Sequence, residues 1–129
     1  MVVKNRHGRF ELSNQSNIVI WQGFGSWNEE TTQDLFESVN SLIKQFDGVG
    51  WAFVADAREW QLASPDTLQL WPPALKVMVD NGLVCGAIVM ERNALKHNII
   101  IKNLPKNGAE YQTFDNVEDA LQWCQNTLD

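Results

Sequence analysis

The chain has 129 residues, 44% of them apolar and 20% charged, with a formal net charge of -6. That is an ordinary composition for one soluble globular domain, large enough to bury roughly two thirds of its unfolded surface. The acidic balance argues against general nucleic-acid or anionic-membrane affinity, so no nucleic-acid partner is expected. No apolar stretch is long enough to span a bilayer, which excludes integral membrane association, and the first twenty residues lack a signal-peptide core. The expected location is cytoplasmic. Cys85 and Cys124 each sit in an apolar stretch and read as buried reduced thiols rather than a disulfide.

In chain order, Phe10 to Ser13 and Ile18 to Phe24 read as a strand pair joined by the turn formers Asn14 to Asn17. Ser26-Trp27-Asn28-Glu29 offers a capping box with Ser26 as N-cap, and Asn28 competes as the cap. Leu35, Phe36, Val39, Leu42, Ile43 and Phe46 follow at helical spacing, up to a stop near Asp47-Gly48. Trp51 to Ala55 and Leu83 to Met90 are continuously apolar, as central strands covered on both faces are. Between them Ser64 caps a helix with Pro65 at its first position, and Leu68, Trp71, Leu75, Met78 and Val79 supply its buried side. Pro72-Pro73 must kink or restart that helix. The break either lets the helix follow the sheet or makes it a flap over an apolar cleft lined by Trp60 and Trp71.

The segment from Glu91 to Phe114 is read as a helix from about Asn93 to Leu104 and a short strand at Glu110 to Phe114, against the strand propensity of Ile99-Ile100-Ile101. A D-x-x-E box at Asp115 to Glu118 opens the last helix, with Val117, Ala120, Leu121, Cys124 and Leu128 as its stripe. Alternating strands and helices imply right-handed crossovers and an α/β fold: one layered domain over residues 1–129, with a mixed, mostly parallel sheet of four or five strands and three or four helices.

Several short motifs occur in an order that resembles one family. Gly25-Ser26-Trp27-Asn28-Glu29-Glu30 looks like the G-x-W-x-x-E opening of the first helix in SpoIIAA-like proteins, of the STAS superfamily of anti-sigma-factor antagonists and their relatives. Asp56-Ala57-Arg58-Glu59-Trp60, with Ser64-Pro65 beyond, is similar to the loop after their third strand. Gly82 to Val89 resembles their next strand, and Phe114 to Trp123 their terminal F-x-x-x-x-x-A-x-x-W signature. The resemblance spans about residues 8 to 127 and implies that fold. In signalling members an Asp-Ser-Ser-Gly-like box opens the second helix and its serine is phosphorylated. Here Ser64, Pro65, Asp66 and Thr67 hold those places and the glycine is missing. The fold therefore carries over better than the signalling role, and phosphorylation of Ser64 or Thr67 stays an open question at this point.

The loop past Asp56 is the place to look for function, because ligands of open α/β sheets dock at the carboxyl ends of strands. Asp56, Arg58 and Glu59 could hold a polar group, helped by the helix N-terminus at Ser64 and Asp66. The bland alternative has Asp56 bracing the loop, Arg58 pairing with a carboxylate and Ser64 serving only as a cap. Arg92, Lys96, His97, Lys102 and Lys106 form a basic segment, either a docking patch or a solvated helix face. No nucleophile–base pair, metal-ligand spacing or phosphate loop stands out, and His7 and His97 lie outside any such motif. The expectation is a non-catalytic binding or regulatory module without metal or cofactor. It would engage a protein partner or small molecule through the Asp56–Thr67 loop and the broken helix. The alternative is a carrier of a small apolar or lipid-like ligand, with a cavity near Trp60, Trp71, Leu75 and Met78. Six tryptophans also suit a homodimer interface.

Overall fold

A computed structural model describes residues 2–5, 8–61, 63–92 and 94–129. His7 lies outside the described residues. The elements are β1 (Val2–Asn5), β2 (Gly8–Gln15), β3 (Ile18–Ser26), α1 (Glu29–Ile43), a 3-10 turn (Lys44–Phe46), β4 (Trp51–Asp56), β5 (Trp60–Gln61), α2 (Pro65–Leu68), α3 (Trp71–Asp80), β6 (Leu83–Val89), α4 (Ala94–Lys102), β7 (Glu110–Phe114) and α5 (Val117–Leu128). The sheet runs β1-β2-β3-β4-β6-β7, with β5 pairing to β3 off this path. β1, β2 and β3 are antiparallel, whereas β3, β4, β6 and β7 are parallel. The α/β class, the antiparallel edge and the helix at 94–102 match the sequence reading. Seven strands replace the expected four or five, because β1 and the two-residue β5 are too short to show a pattern of their own.

Two caps differ from the sequence reading. Ser26 is the last residue of β3, where its hydroxyl meets Gln61 Oε1 at 3.2 Å. Asn28 takes the cap of α1 instead, accepting from Thr31 N at 3.0 Å. At α5 the cap is Asn116 rather than Asp115, accepting from Asp119 N at 2.8 Å. In both helices an Asn displaced the neighbouring candidate because its amide oxygen reaches the third N–H of the helix.

The double proline restarts the helix. α2 ends at Leu68, and α3 begins with Trp71, Pro72 and Pro73 in its first turn, where missing N–H groups cost no helical hydrogen bond.

The two faces of the sheet are covered unequally. α1, α3 and α4 lie over a face of large side chains, among them Trp21, Phe53, Trp60 and Ile88. The opposite face is small, with Ala52, Cys85 and Ala87, and lets α5 sit close through Ala120 and Cys124. Cys85 and Cys124 are buried free thiols, and Cys124 Sγ donates to Phe53 O at 3.6 Å. Contact with Cys85 and burial push the Cys124 thiol far up, which keeps it protonated and unreactive. On the larger face Phe53 lies over Gly86 of β6. A Cβ at Gly86 would fall 2.3 Å from the Phe53 ring. Gly86→Ala should therefore displace Phe53 and cost about 1–3 kcal/mol in urea unfolding; an unchanged midpoint would show that the ring has room to move.

Candidate functional site

β4 delivers Asp56 to the carboxyl end of the sheet, 4% exposed. A carboxylate this buried has to be paired, and Arg58 does it two residues later. Arg58 Nε donates to Oδ1 at 2.9 Å and Nη2 to Oδ2 at 2.7 Å, while the Arg58 backbone N–H donates to Oδ1 at 3.1 Å. The hydrogen bond to Asp56 raises the Arg58 pKa above its ordinary value. Trp60 N closes the turn onto Ala57 O at 3.2 Å, and Gly25 N ties the loop back to β3 by donating to Glu59 O at 3.1 Å. Trp60 then pairs with Gly25 as the first residue of β5. The bracing role foreseen for Asp56 is thus the observed one. Both of its oxygens are engaged by Nε and Nη2 of a guanidinium whose side chain stays 41% exposed.

A lysine hydrogen bond fastens α4 to the same loop. Lys96 is 6% exposed; its ammonium donates to Ala57 O and, at 3.0 Å, to Glu91 Oε1. Burial pushes Glu91 up, but a backbone hydrogen bond and Lys96 outweigh it and leave the carboxyl below its ordinary value. Lys96 is therefore a buried clasp, which corrects the solvated-face reading of the basic segment for this residue. Its placement was legible in principle: Ile100 and Leu104 follow at intervals of four, on the same helical face. Arg92 meets Asp115 at 3.7 Å with both side chains largely exposed, and Lys102 and Lys106 face solvent.

Between the sheet, α2–α3 and α4 lies a cavity of about 90 Å³. Its floor is a row of paired residues, Trp21 of β3, Ala55 of β4 and Ile88 of β6, continued toward the loop by Gly23 and Ala57. Small residues at this end leave the space that Trp21 and Phe53 fill deeper in the sheet. Trp27 and Trp60 form one wall, Leu68, Trp71 and Leu75 the cover, and Ile100 and Leu104 the far side. Asp56 and Asn103 are the polar residues that reach it. A Cβ at Gly23 would fall 2.9 Å from Trp27 and 3.3 Å from Trp60, so glycine here makes room for both indoles. Trp71 is held by Phe36, edge-on at 4.9 Å, and stacks on Trp21 at 6.4 Å.

Of the residues singled out from sequence, Asp56, Trp60, Trp71 and Leu75 meet at this cavity. Arg58, Glu59, Ser64 and Asp66 are exposed and are not among its lining residues. Met78 is buried in the same core but does not reach the cavity wall, which corrects the expected lining. Ser64 is a cap, accepting from Thr67 N at 3.3 Å, and Thr67 is buried. α2 has only four residues, and one helical turn offers an anion little dipole. Four of the six tryptophans, Trp21, Trp27, Trp51 and Trp60, are buried within the one chain. Among the described residues there is no cluster suited to a metal ion and no helix long and apolar enough to cross a membrane.

Solved structures place this architecture in a class. A DUF3478-family protein with a SpoIIAA-like fold from Shewanella loihica PV-4 is similar over 96% of this chain and 98% of its own, with a TM-score of 0.67 and 14% identity. An anti-sigma factor antagonist from Mycobacterium paratuberculosis is similar over 90% of this chain and 92% of its own, with a TM-score of 0.59 and 14% identity. The chain has the SpoIIAA-like fold, as its motifs implied. No family model matches the sequence, and no curated protein is similar to it in sequence.

Because the Glu91 carboxyl is depressed in the folded state, its contribution is complete above the unfolded carboxylate range and is lost as pH falls through the lower, folded value. Acidification through that range should reduce amide protection in α4 more than in β4 or β6. Glu91→Gln should already show the loosened α4 at neutral pH and lack the acid step. An identical acid response in that variant would rule out the clasp as its cause.

Proposed function

We propose that this protein is a non-catalytic binding module whose ligand is a small apolar molecule held in the cavity beneath α2–α4. The observation that carries the reading is the cavity's position and lining together: it opens at the carboxyl ends of parallel strands and is walled almost wholly by carbon. Both ionic groups next to it are already paired, so nothing there is poised to attack a substrate. At about 90 Å³ it is smaller than the cavities of about 150 Å³ that accept benzene. It therefore takes a few-carbon ligand or the end of a longer one. The break between α2 and α3 at Gln69-Leu70 is the place where the cover can yield to more. A cytoplasmic protein of this kind would carry or sense its ligand rather than transform it.

A protein partner is the second reading. It is supported by the similarity to an anti-sigma factor antagonist and by Arg58, Glu59 and Asp66, which are exposed on the segment that follows β4. A homodimer could use the same surface.

Native mass spectrometry on protein purified gently from its own cells separates these readings. The ligand reading expects a non-covalent adduct that disappears on denaturation. Ala55→Val, which adds bulk to the cavity floor, should abolish the adduct while stabilising the empty protein by about 0.5–2 kcal/mol. A bare mass, together with destabilisation by the same substitution, would reject the ligand and turn attention to the partner.

A further inference from the structure

We infer that the ligand carries an uncharged hydrogen-bond acceptor, a carbonyl, ether or hydroxyl oxygen, and that the indole N–H of Trp60 receives it. The inference rests on the ligand reading above and specifies its chemistry. Two other buried tryptophans meet their donors' needs: Trp27 Nε1 donates to Phe24 O at 3.1 Å, and Trp51 Nε1 to Asn81 O at 2.9 Å. Trp60 is 8% exposed, and its Nε1 is buried with no acceptor among the described residues. An unmet buried donor is costly, and native structures rarely leave one without a reason.

Its surroundings supply the reason. Trp60 lines the cavity, and its Cδ1, bonded to Nε1, lies 3.3 Å from the Cβ position of Gly23, another lining residue. Cδ1 thus stands beside the cavity floor, one bond from the unpartnered donor. Apolar walls with one stranded donor fit a molecule that is hydrocarbon except for one oxygen.

The charge of that oxygen follows from the wall. No lysine or arginine lines the cavity, and the one ionisable lining residue is Asp56, whose two oxygens are taken by Arg58. A carboxylate or phosphate there would enter an apolar site beside another carboxylate with no cation of its own. The amide of Asn103 also reaches the cavity, but its Nδ2 already donates to Ile99 O at 2.8 Å. A neutral acceptor meets the Trp60 donor without that conflict.

Three small probes test this on the full chain: acetone, propane and acetate. The readout is the indole N–H region of the proton–nitrogen NMR spectrum, with Trp60→Phe assigning the Trp60 peak. Acetone should bind more tightly than propane and move the Trp60 proton downfield, while acetate should not bind. Trp60→Phe removes the donor and also enlarges the cavity, so the quantity compared is the ratio of ketone to hydrocarbon affinity. That ratio should fall roughly three- to tenfold in the variant. Unchanged remaining indole peaks would verify that the variant is folded. Equal affinity for ketone and hydrocarbon with an unmoved Trp60 peak would overturn the hydrogen bond but leave the apolar site standing. Acetate binding as tight as that of the ketone would overturn the neutral acceptor. Failure of both neutral probes to bind would overturn the cavity reading itself.

Discussion

A carboxylate removed from water cannot remain alone, and the way the chain answers that constraint at Asp56 shapes this whole end of the sheet. Pairing with Arg58 two residues later demands a tight turn, and the turn sends Trp60 back alongside β3 instead of out into solvent. The carbonyl of Ala57, exposed by the same turn, becomes the acceptor that draws Lys96 inward and seats α4. The Asp56–Arg58 pair and the Lys96–Ala57 hydrogen bond thereby hold a wall and a cover around a space that Asp56 and Ala57 themselves border. A buried ion pair is weak evidence for stability, since apolar substitutes often serve as well. Its consequence here is geometric, in fixing where an indole and a helix stand.

The cavity itself follows from the unequal faces of the sheet. Where α5 packs, Ala52, Ala87 and Ala120 allow close approach and leave no gap. On the other face the same strands change from large to small along their length, from Trp21 and Phe53 to Gly23, Ala55 and Ala57, while the helices above stay in place. Interiors are usually packed as densely as organic crystals. A gap between tryptophans therefore carries a cost in lost dispersion contacts, as does the unpartnered Trp60 donor beside it. Two such costs in one place suit a binding site better than a core built only for stability.

Much of this was legible in the residues. The buried strands at Trp51 and Leu83 showed as unbroken apolar runs, and Ser64-Pro65 marked a helix start by cap chemistry alone. The motif order pointed to the fold that solved structures bear out. The harder features depend on tertiary partners. Whether Ser26 or Asn28 caps α1 turns on Ser26 being drawn into β3 beside Gln61, a contact across thirty-five positions. β1 and β5 are too short for period-two alternation to register. Half of the cavity was foreseen, because Trp60, Trp71 and Leu75 advertise apolar bulk. The other half is made by what is missing at Gly23 and Ala55, and absent side chains are noticed only when the strands are laid side by side. Lys96 was misjudged because charge was weighed before helical position.

The most direct measurement is a crystal structure of the protein under xenon pressure. Xenon enters dry apolar cavities of this kind without needing a hydrogen bond. The account predicts one strongly occupied site between Trp60, Trp71 and Leu75, with the surrounding side chains unmoved. Collapse of Trp71 onto Leu75, or ordered water filling the space with no xenon, would contradict it and leave the fold without the pocket on which the proposed function stands.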